Sequence, residues 1–451
     1  MSETTDPSLS LAEHGTLNLK EKLGLAGVGL GMTSLAAAAF GAGSTHSLLL
    51  LVLSLVGIVG GGLIYVSVSQ LKAPPGIRNN HMVTDTFNSR GVGGWVLGVF
   101  LTGIYILYYW FPDSLIHLTR MTDPLSYPLR GKSSDPWFMY SLLYTVAVVV
   151  MGVRALIKYR HSAYQQIRTG VVMASQTFFG LLIPAILKKM NEPEEFISYF
   201  WPLNPKPLWP DKFMDYFSAE YRLGTAIVIF SLFMTFVATP ILTYYFGKRW
   251  YCSWVCGCGG LANTAGDNWR QLSNKTLGAW KLERWTIHSV LVFVVVTTVA
   301  LWLHSLFGIL GSVAQPLARA YGFFIIAAFA GVIGVGFYPI LGTRVWCRFG
   351  CPMAAILGLL QKKKSRFRIT TNGSQCISCG NCSKYCEMGI DVRWYAQRGQ
   401  DIVRSSCVGC GMCSTVCPRG VLNLENGPQD SRKSEPISLL DPAKSGESLE
   451  V

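Results

Sequence analysis

Eight of the chain's 13 cysteines fall between residues 376 and 417, in two near-identical runs. The first places Cys376, Cys379, Cys382 and Cys386 along Cys-Ile-Ser-Cys-Gly-Asn-Cys-Ser-Lys-Tyr-Cys. The second places Cys407, Cys410, Cys413 and Cys417 along Cys-Val-Gly-Cys-Gly-Met-Cys-Ser-Thr-Val-Cys, with Pro418 next. Three cysteines spaced two residues apart, then a fourth after three more, can wrap a pair of iron–sulfur cubes, each run lending its fourth cysteine to the other cube. Crossed ligation predicts one 4Fe-4S cluster on Cys376, Cys379, Cys382 and Cys417. It predicts a second on Cys407, Cys410, Cys413 and Cys386. Zinc also takes four thiolates, but it has no use for a third cysteine at this spacing. One position departs from the pattern: Glu387 follows Cys386, where the second run has proline. That removes no ligand and changes what surrounds the cluster.

The other five cysteines belong to a repeat. Gly247, Arg249, Cys252 and Cys256 recur as Gly342, Arg344, Cys347 and Cys351, at a constant offset of 95 residues, each set just past an apolar run that ends in Pro-Ile-Leu and an intervening short stretch or none. Pro352 can open a helix after Cys351, which would set that thiol at a helix N terminus beside Arg344 and Arg348, where thiolate is favoured. The first copy has Gly257 in place of proline and an additional Cys258. Four uses of Cys252, Cys256, Cys347 and Cys351 stay open: an additional iron or iron–sulfur centre, a dithiol/disulfide couple, capture of copper or another soft metal, and plain packing of two similar helix ends.

Half of the 451 residues are hydrophobic, 14% are charged and the mean hydropathy is +0.33, the composition of a membrane protein. Apolar runs predict eight transmembrane helices, at about 25–43, 47–70, 93–112, 138–157, 171–187, 223–246, 286–308 and 321–341. The fifth is short and holds Gln176, Thr177 and Pro184. With the N terminus inside, 21 Lys and Arg fall in inner segments against nine in outer ones, which predicts a multi-pass protein of the inner (cytoplasmic) membrane with both termini cytoplasmic. The net charge of +14 is thus read as topology, and nucleic acid is not an expected partner. Cysteines grouped as ligands, with none scattered as disulfide pairs, suit a reducing compartment.

These readings divide the chain into a polar N-terminal segment (1–24), a transmembrane domain with both Cys-x3-Cys copies (25–360), a double-cluster domain of α+β type (361–425) and a disordered tail (426–451). No cleaved signal is expected. Val421 to Leu424 could close a small sheet. Tyr199, Trp201, Trp209 and Tyr216 are expected at the outer membrane–water interface, with a docking surface for a periplasmic partner as the other reading. Gln176 and Arg154 are costly at membrane depth unless paired, and serve either helix–helix hydrogen bonding or a quinone pocket. Of the seven histidines, His14, His46, His81, His117, His161, His288 and His304, only His288 and His304 belong to an apolar span, at its opposite ends; His46 could level with His304 for a haem b pair, but interfacial histidines are the expected reading.

The two Cys-x3-Cys copies at span ends, combined with the double cluster motif, resemble the NosR/NapH-type membrane polyferredoxin family over roughly residues 220–425. In that resemblance Cys347, Cys351 and Pro352 match the family's Cys-x3-Cys-Pro, and Cys252 and Cys256 match its first copy. It implies electron traffic between the quinone pool and a respiratory or periplasmic redox partner, as in a quinol dehydrogenase subunit. The other function it implies is a reductase supplying electrons for maturation of a copper or iron enzyme.

Overall fold

The computed structural model describes residues 17–42, 45–72, 75–76, 90–217, 221–372 and 375–427. His14, His81 and Arg78 fall outside them, as does the expected disordered tail beyond residue 427.

Eight helices are long and apolar enough to cross a membrane: α1 (Leu19–Ala39), α2 (Ser47–Leu71), α3 (Val92–Trp110), α4 (Pro136–Lys158), α5 (Ala163–Lys189), α6 (Gly224–Phe246), α7 (Leu277–Phe307) and α8 (Gly311–Gly336). Their starts follow local chemistry. Asn18 and Glu21 form a reciprocal capping box on α1. The Asp135 carboxylate accepts from the Phe138 N–H at 2.8 Å, with Pro136 at the first helical position of α4. Thr276 caps α7, and Gly308, at φ 67°, ends it.

The fifth span is longer than its apolar run, because α5 continues back to Ala163 through Gln165 and Arg168, both buried in protein contacts. Its Pro184 is accommodated by wide turns over Phe178–Leu182. Pro240 of α6 likewise follows wide turns over Met234–Ala238. In both, the proline-facing carbonyl lies in the widened stretch, and in α6 the Thr239 hydroxyl donates to Met234 O at 2.7 Å. α8 begins ten residues before its expected start at 321, taking in the amphipathic turn Ala314–Tyr321.

The loop between α5 and α6, expected at the outer membrane–water interface, packs into the protein. Phe200 is 2% exposed and packs edge-on against Tyr251, whose hydroxyl donates to Ser198 O at 2.7 Å. Trp201 donates to Thr298 Oγ1 at 3.1 Å, Trp302 donates to Leu208 O at 2.7 Å, and Tyr321 donates to Pro202 O. Thr298 and Trp302 belong to α7, so this irregular segment re-enters the bundle. It can do so because protein, not lipid, surrounds it. Its aromatic side chains, including buried Tyr216 and the Trp209 ring stacked edge-on with Tyr321, read as belt residues by composition alone.

After α8 comes α9 (Pro352–Lys364), then β1 (Arg368–Thr371). β2 (Leu422–Glu425) returns antiparallel to β1, with Ile369 opposite Leu424, closing a two-stranded sheet. Both cysteine runs lie between the strands.

Candidate iron–sulfur sites

The two copies of the repeat fold alike. Gly247 (φ 65°, ψ −167°) and Gly342 (φ 90°, ψ 173°) end their helices in a conformation open only to glycine. Four residues on, the chain begins the same wide turn twice: Cys256 N–H bonds Tyr251 O, and Cys351 N–H bonds Trp346 O, each at 2.9 Å. Both second cysteines are extended and start a helix, Gly257–Asn263 in one copy and α9 in the other. The 95-residue offset is therefore a repeat of backbone as well as sequence.

Those matching turns bring Cys252, Cys256, Cys347 and Cys351 into one buried cluster, where each lies close enough to feel the others' charge. Arg344 donates toward Cys347 Sγ at 3.7 Å and to Cys252 O at 3.1 Å. The expected electropositive setting of Cys351 is only partly present. Ala354 N–H does reach its sulfur at 3.4 Å, but Arg348 turns away to Glu283 at 3.0 Å, and burial pushes the Cys351 thiol well up. Burial likewise pushes Cys252 up to about 12, with Lys248 pulling back. Cys256 falls to about 7 because the Cys258 thiol hydrogen-bonds to it. Buried neutral thiols of this kind become thiolates when a metal centre takes their protons' place.

In the C-terminal domain the eight cysteines fall into two groups in space, each joining three cysteines of one run with the fourth of the other. Cys376, Cys379, Cys382 and Cys417 line a single pocket. Cys407, Cys410, Cys413 and Cys386 are mutual neighbours, and Cys413 is also close to Cys382 of the other set. Cys379 is exposed, whereas Cys407 and Cys413 are buried. Among the described residues no three Cys, His, Asp or Glu side chains close round a single-ion site. Four thiolates set round a space, with backbone N–H groups of Gly409, Met412, Met388 and Ile390 turned to the sulfurs of the second set, suit a cluster in which each thiolate has its own iron. Gly411, at φ 74°, permits the chain to pass Tyr164: a Cβ there would stand 2.7 Å from that ring.

The helical bundle grips the second set. Tyr164 and Gln165 of α5 donate to Gly409 O (2.8 Å) and Cys410 O (3.0 Å). From the repeat, Ser253 donates to Val408 O at 2.7 Å and Lys248 Nζ to Ser405 O at 2.8 Å. Gln361 of α9 accepts from Lys248 N–H at 2.6 Å and donates to Cys407 O at 2.9 Å. Lys248 acts on Cys252, Cys347 and Cys407 alike, so it stands between the repeat cysteines and the second set.

Glu387 is fully buried and pairs with Arg270 (2.7 Å) and Arg344 (2.9 Å). Burial alone would raise its pKa, but Arg270, Arg344 and Arg168 outweigh it and hold the carboxyl below its usual range. Arg270 also pairs with Asp267 at 3.2 Å, which binds Lys158 (2.7 Å), Arg154 (3.4 Å) and the Tyr159 hydroxyl (2.7 Å). Arg154 is thus a member of a charge network. Gln176 donates to Val255 O at 2.7 Å and accepts from Tyr144, holding the first Cys-x3-Cys loop. Both polar groups have protein partners, as the helix–helix reading expected. Sequence reasoning noticed Glu387 as a departure from pattern and counted Lys248 and Arg270 as topology signals. Asp267 and Gln361 carried no signal at all.

Comparison with known families agrees with the geometry. Residues 368–418 match a 4Fe-4S dicluster domain, and residues 228–278 and 321–370 each match one 4Fe-4S binding domain model, so the internal repeat is matched twice. These are 4Fe-4S ferredoxin domains. The chain is also 30% identical over 182 residues to the "Putative electron transport protein YccM" of Escherichia coli (strain K12), an alignment covering 36% of this chain and 46% of that protein. The chain thus spans under half the length of the curated relative it matches. No solved structure matches. The matched models describe iron–sulfur binding, and the eight apolar helices have the length to span a membrane.

Proposed function

We propose that the chain is a quinol-dehydrogenase-like subunit of the NosR/NapH polyferredoxin type, moving electrons between the quinone pool and a respiratory or periplasmic acceptor. The observation that carries this reading is the order of its thiol groups. The Cys376 set opens to solvent, the Cys407 set is covered by the membrane domain, and the repeat cysteines are buried where α6, α7 and α8 meet the re-entrant loop. Each of the first two sets would hold one 4Fe-4S cluster and the repeat cysteines a further iron centre, supplying one-electron chemistry when bound.

The chain's own residues keep this line short and dry. Lys248, Ser253 and Gln361 fix the backbone of 405–408 against the repeat, while Tyr251, Phe200 and Trp346 pack water away from the repeat cysteines. The excess of Lys and Arg on inner segments supports an inner-membrane protein with the cluster domain and both termini in the cytoplasm. Reporter fusions after Arg168, Arg222 and Arg284 should read inside, outside and inside.

Membranes containing the protein provide the functional test. Reduced clusters should reoxidise when a quinone analogue is added, and quinol should reduce them in turn. Clusters unresponsive to either would remove the quinone link and leave maturation of a metalloenzyme as the function to test.

A further inference from the structure

Cys379 is the sole solvent-exposed cysteine among the described residues. Every residue lining the pocket of its set comes from 376–422, with nothing from the membrane domain over it. Ile377, 59% exposed, lines that opening, and Trp394, 43% exposed, follows the lining residue Arg393 in the chain. The Arg398 guanidinium lies 4.1 Å above the Trp394 ring, and Arg393 and Arg419 line the pocket mouth itself. Gln397 donates to Ser378 Oγ at 2.7 Å, tying the helix that carries Arg393 and Trp394 to the cysteine loop. The neighbouring carboxylates are engaged within the domain: Asp391 accepts from Ser383 at 2.6 Å, and Asp401 faces Arg368 at 3.6 Å.

We propose that this face is the docking surface for a soluble, acidic one-electron carrier protein. The inference rests on reading the Cys376 set as a 4Fe-4S cluster and names the partner of that site. Electron transfer falls off steeply with distance, so a carrier must seat its own centre against the opening at Cys379. The other thiol groups lie behind protein. An exposed aromatic and arginines are residue types enriched at the centre of protein interfaces, and the exposed isoleucine adds apolar area beside them. A rim of arginines round an apolar patch selects a partner of opposite sign and speeds its encounter, without requiring a large or long-lived interface. One electron leaves the reduced carrier, which is oxidised, and the Cys376 site is reduced by one. The reverse direction uses the same contact.

Stopped-flow mixing of the full-length, iron-loaded protein with a small acidic [2Fe-2S] ferredoxin is the test. The rate should fall with ionic strength, and it should be about tenfold or more lower in the Arg393→Glu/Arg398→Glu double variant. Iron content of that variant should match the unaltered protein, and because Arg393 lines the cluster pocket its midpoint potential is measured too, so that the rate loss is compared at equal driving force; a basic carrier such as cytochrome c should show the opposite charge dependence. Equal rates for the double variant and the unaltered protein would overturn the proposal, as would binding of nucleic acid or anionic vesicles without reaction with the carrier. Should the double variant lose iron, the unaltered protein decides, and a rate indifferent to salt overturns the proposal. Absence of reducible iron in the unaltered protein is a different failure, one that overturns the cluster reading beneath it.

Discussion

Glu387 and Arg344 meet at 2.9 Å with both side chains fully buried, and the pair joins two domains. Glu387 adjoins Cys386 of the second cysteine set, while Arg344 reaches Cys347 and Cys252 of the repeat. A position where the second run has Pro418 has become the anchor of the cluster domain on the helical bundle.

Changing Glu387 to Gln or Pro should loosen that anchor. It leaves Arg270 and Arg344 buried without their carboxylate, and removing one partner of a buried pair costs about 3–5 kcal/mol. Hydrogen exchange should rise over 265–275 and 361–370 while the cluster domain stays folded. Removing a negative charge also favours the reduced state, so midpoint potentials assigned to the Cys407 set and the repeat should rise more than that of the Cys376 set. Unchanged exchange would show that the pair does not hold the domains together.

The same pairs set a pH dependence. Glu387 and Asp267 are buried, yet their arginine and lysine neighbours hold both carboxyls below the ordinary carboxylate range. A depressed folded pKa gives stability that is full above the unfolded value, about 4, and that is lost as pH falls through the folded value. Domain docking should therefore be constant from neutral pH down to the carboxylate range and fail only in stronger acid. In Asp267→Asn that acid limb should flatten. Thermal unfolding followed across pH checks the sign, and a loss of stability centred near neutrality would contradict it.

Lys248 should act as a bridge. Lys248→Met leaves Ser405 O without its buried donor, at a cost of about 1–3 kcal/mol. It also withdraws a positive charge that acts on Cys252, Cys347 and Cys407. The midpoint potentials of both sites should fall together in a redox titration. A shift at one site alone would place Lys248 outside the link.

The apolar helices, the grouping of the cysteines and the repeat were legible in the sequence because each rests on a local rule: apolar length, cysteine spacing, or a fixed offset. The clasp between domains was not, since Asp267, Arg270, Gln361 and Glu387 acquire meaning only when segments a hundred residues apart meet. The positive-inside count included Lys158, Arg168, Lys248, Arg270 and Arg344, all of which the structure buries in protein contacts. Composition also misplaced the aromatic loop, because Trp and Tyr suit the membrane interface and a protein interior equally well; the Trp201 bond to Thr298 decided between them.

If the repeat cysteines form one unit, Cys256→Ser and Cys351→Ser should each stop electron transfer through the protein while leaving the C-terminal sites loaded. The double variant should be no worse than either, because groups acting together are not additive. Full activity in the double variant would reduce these four cysteines to packing.

The central claim, that three thiol groups hold an iron–sulfur chain leading from solvent into the bundle, is tested most directly by anaerobic iron and sulfide analysis with EPR of the reduced protein. The account predicts about eight irons from the two ferredoxin runs, more with the repeat occupied, and an iron excess that disappears in the Cys256/Cys351 double serine variant. Stoichiometric zinc with no cluster signal would contradict it.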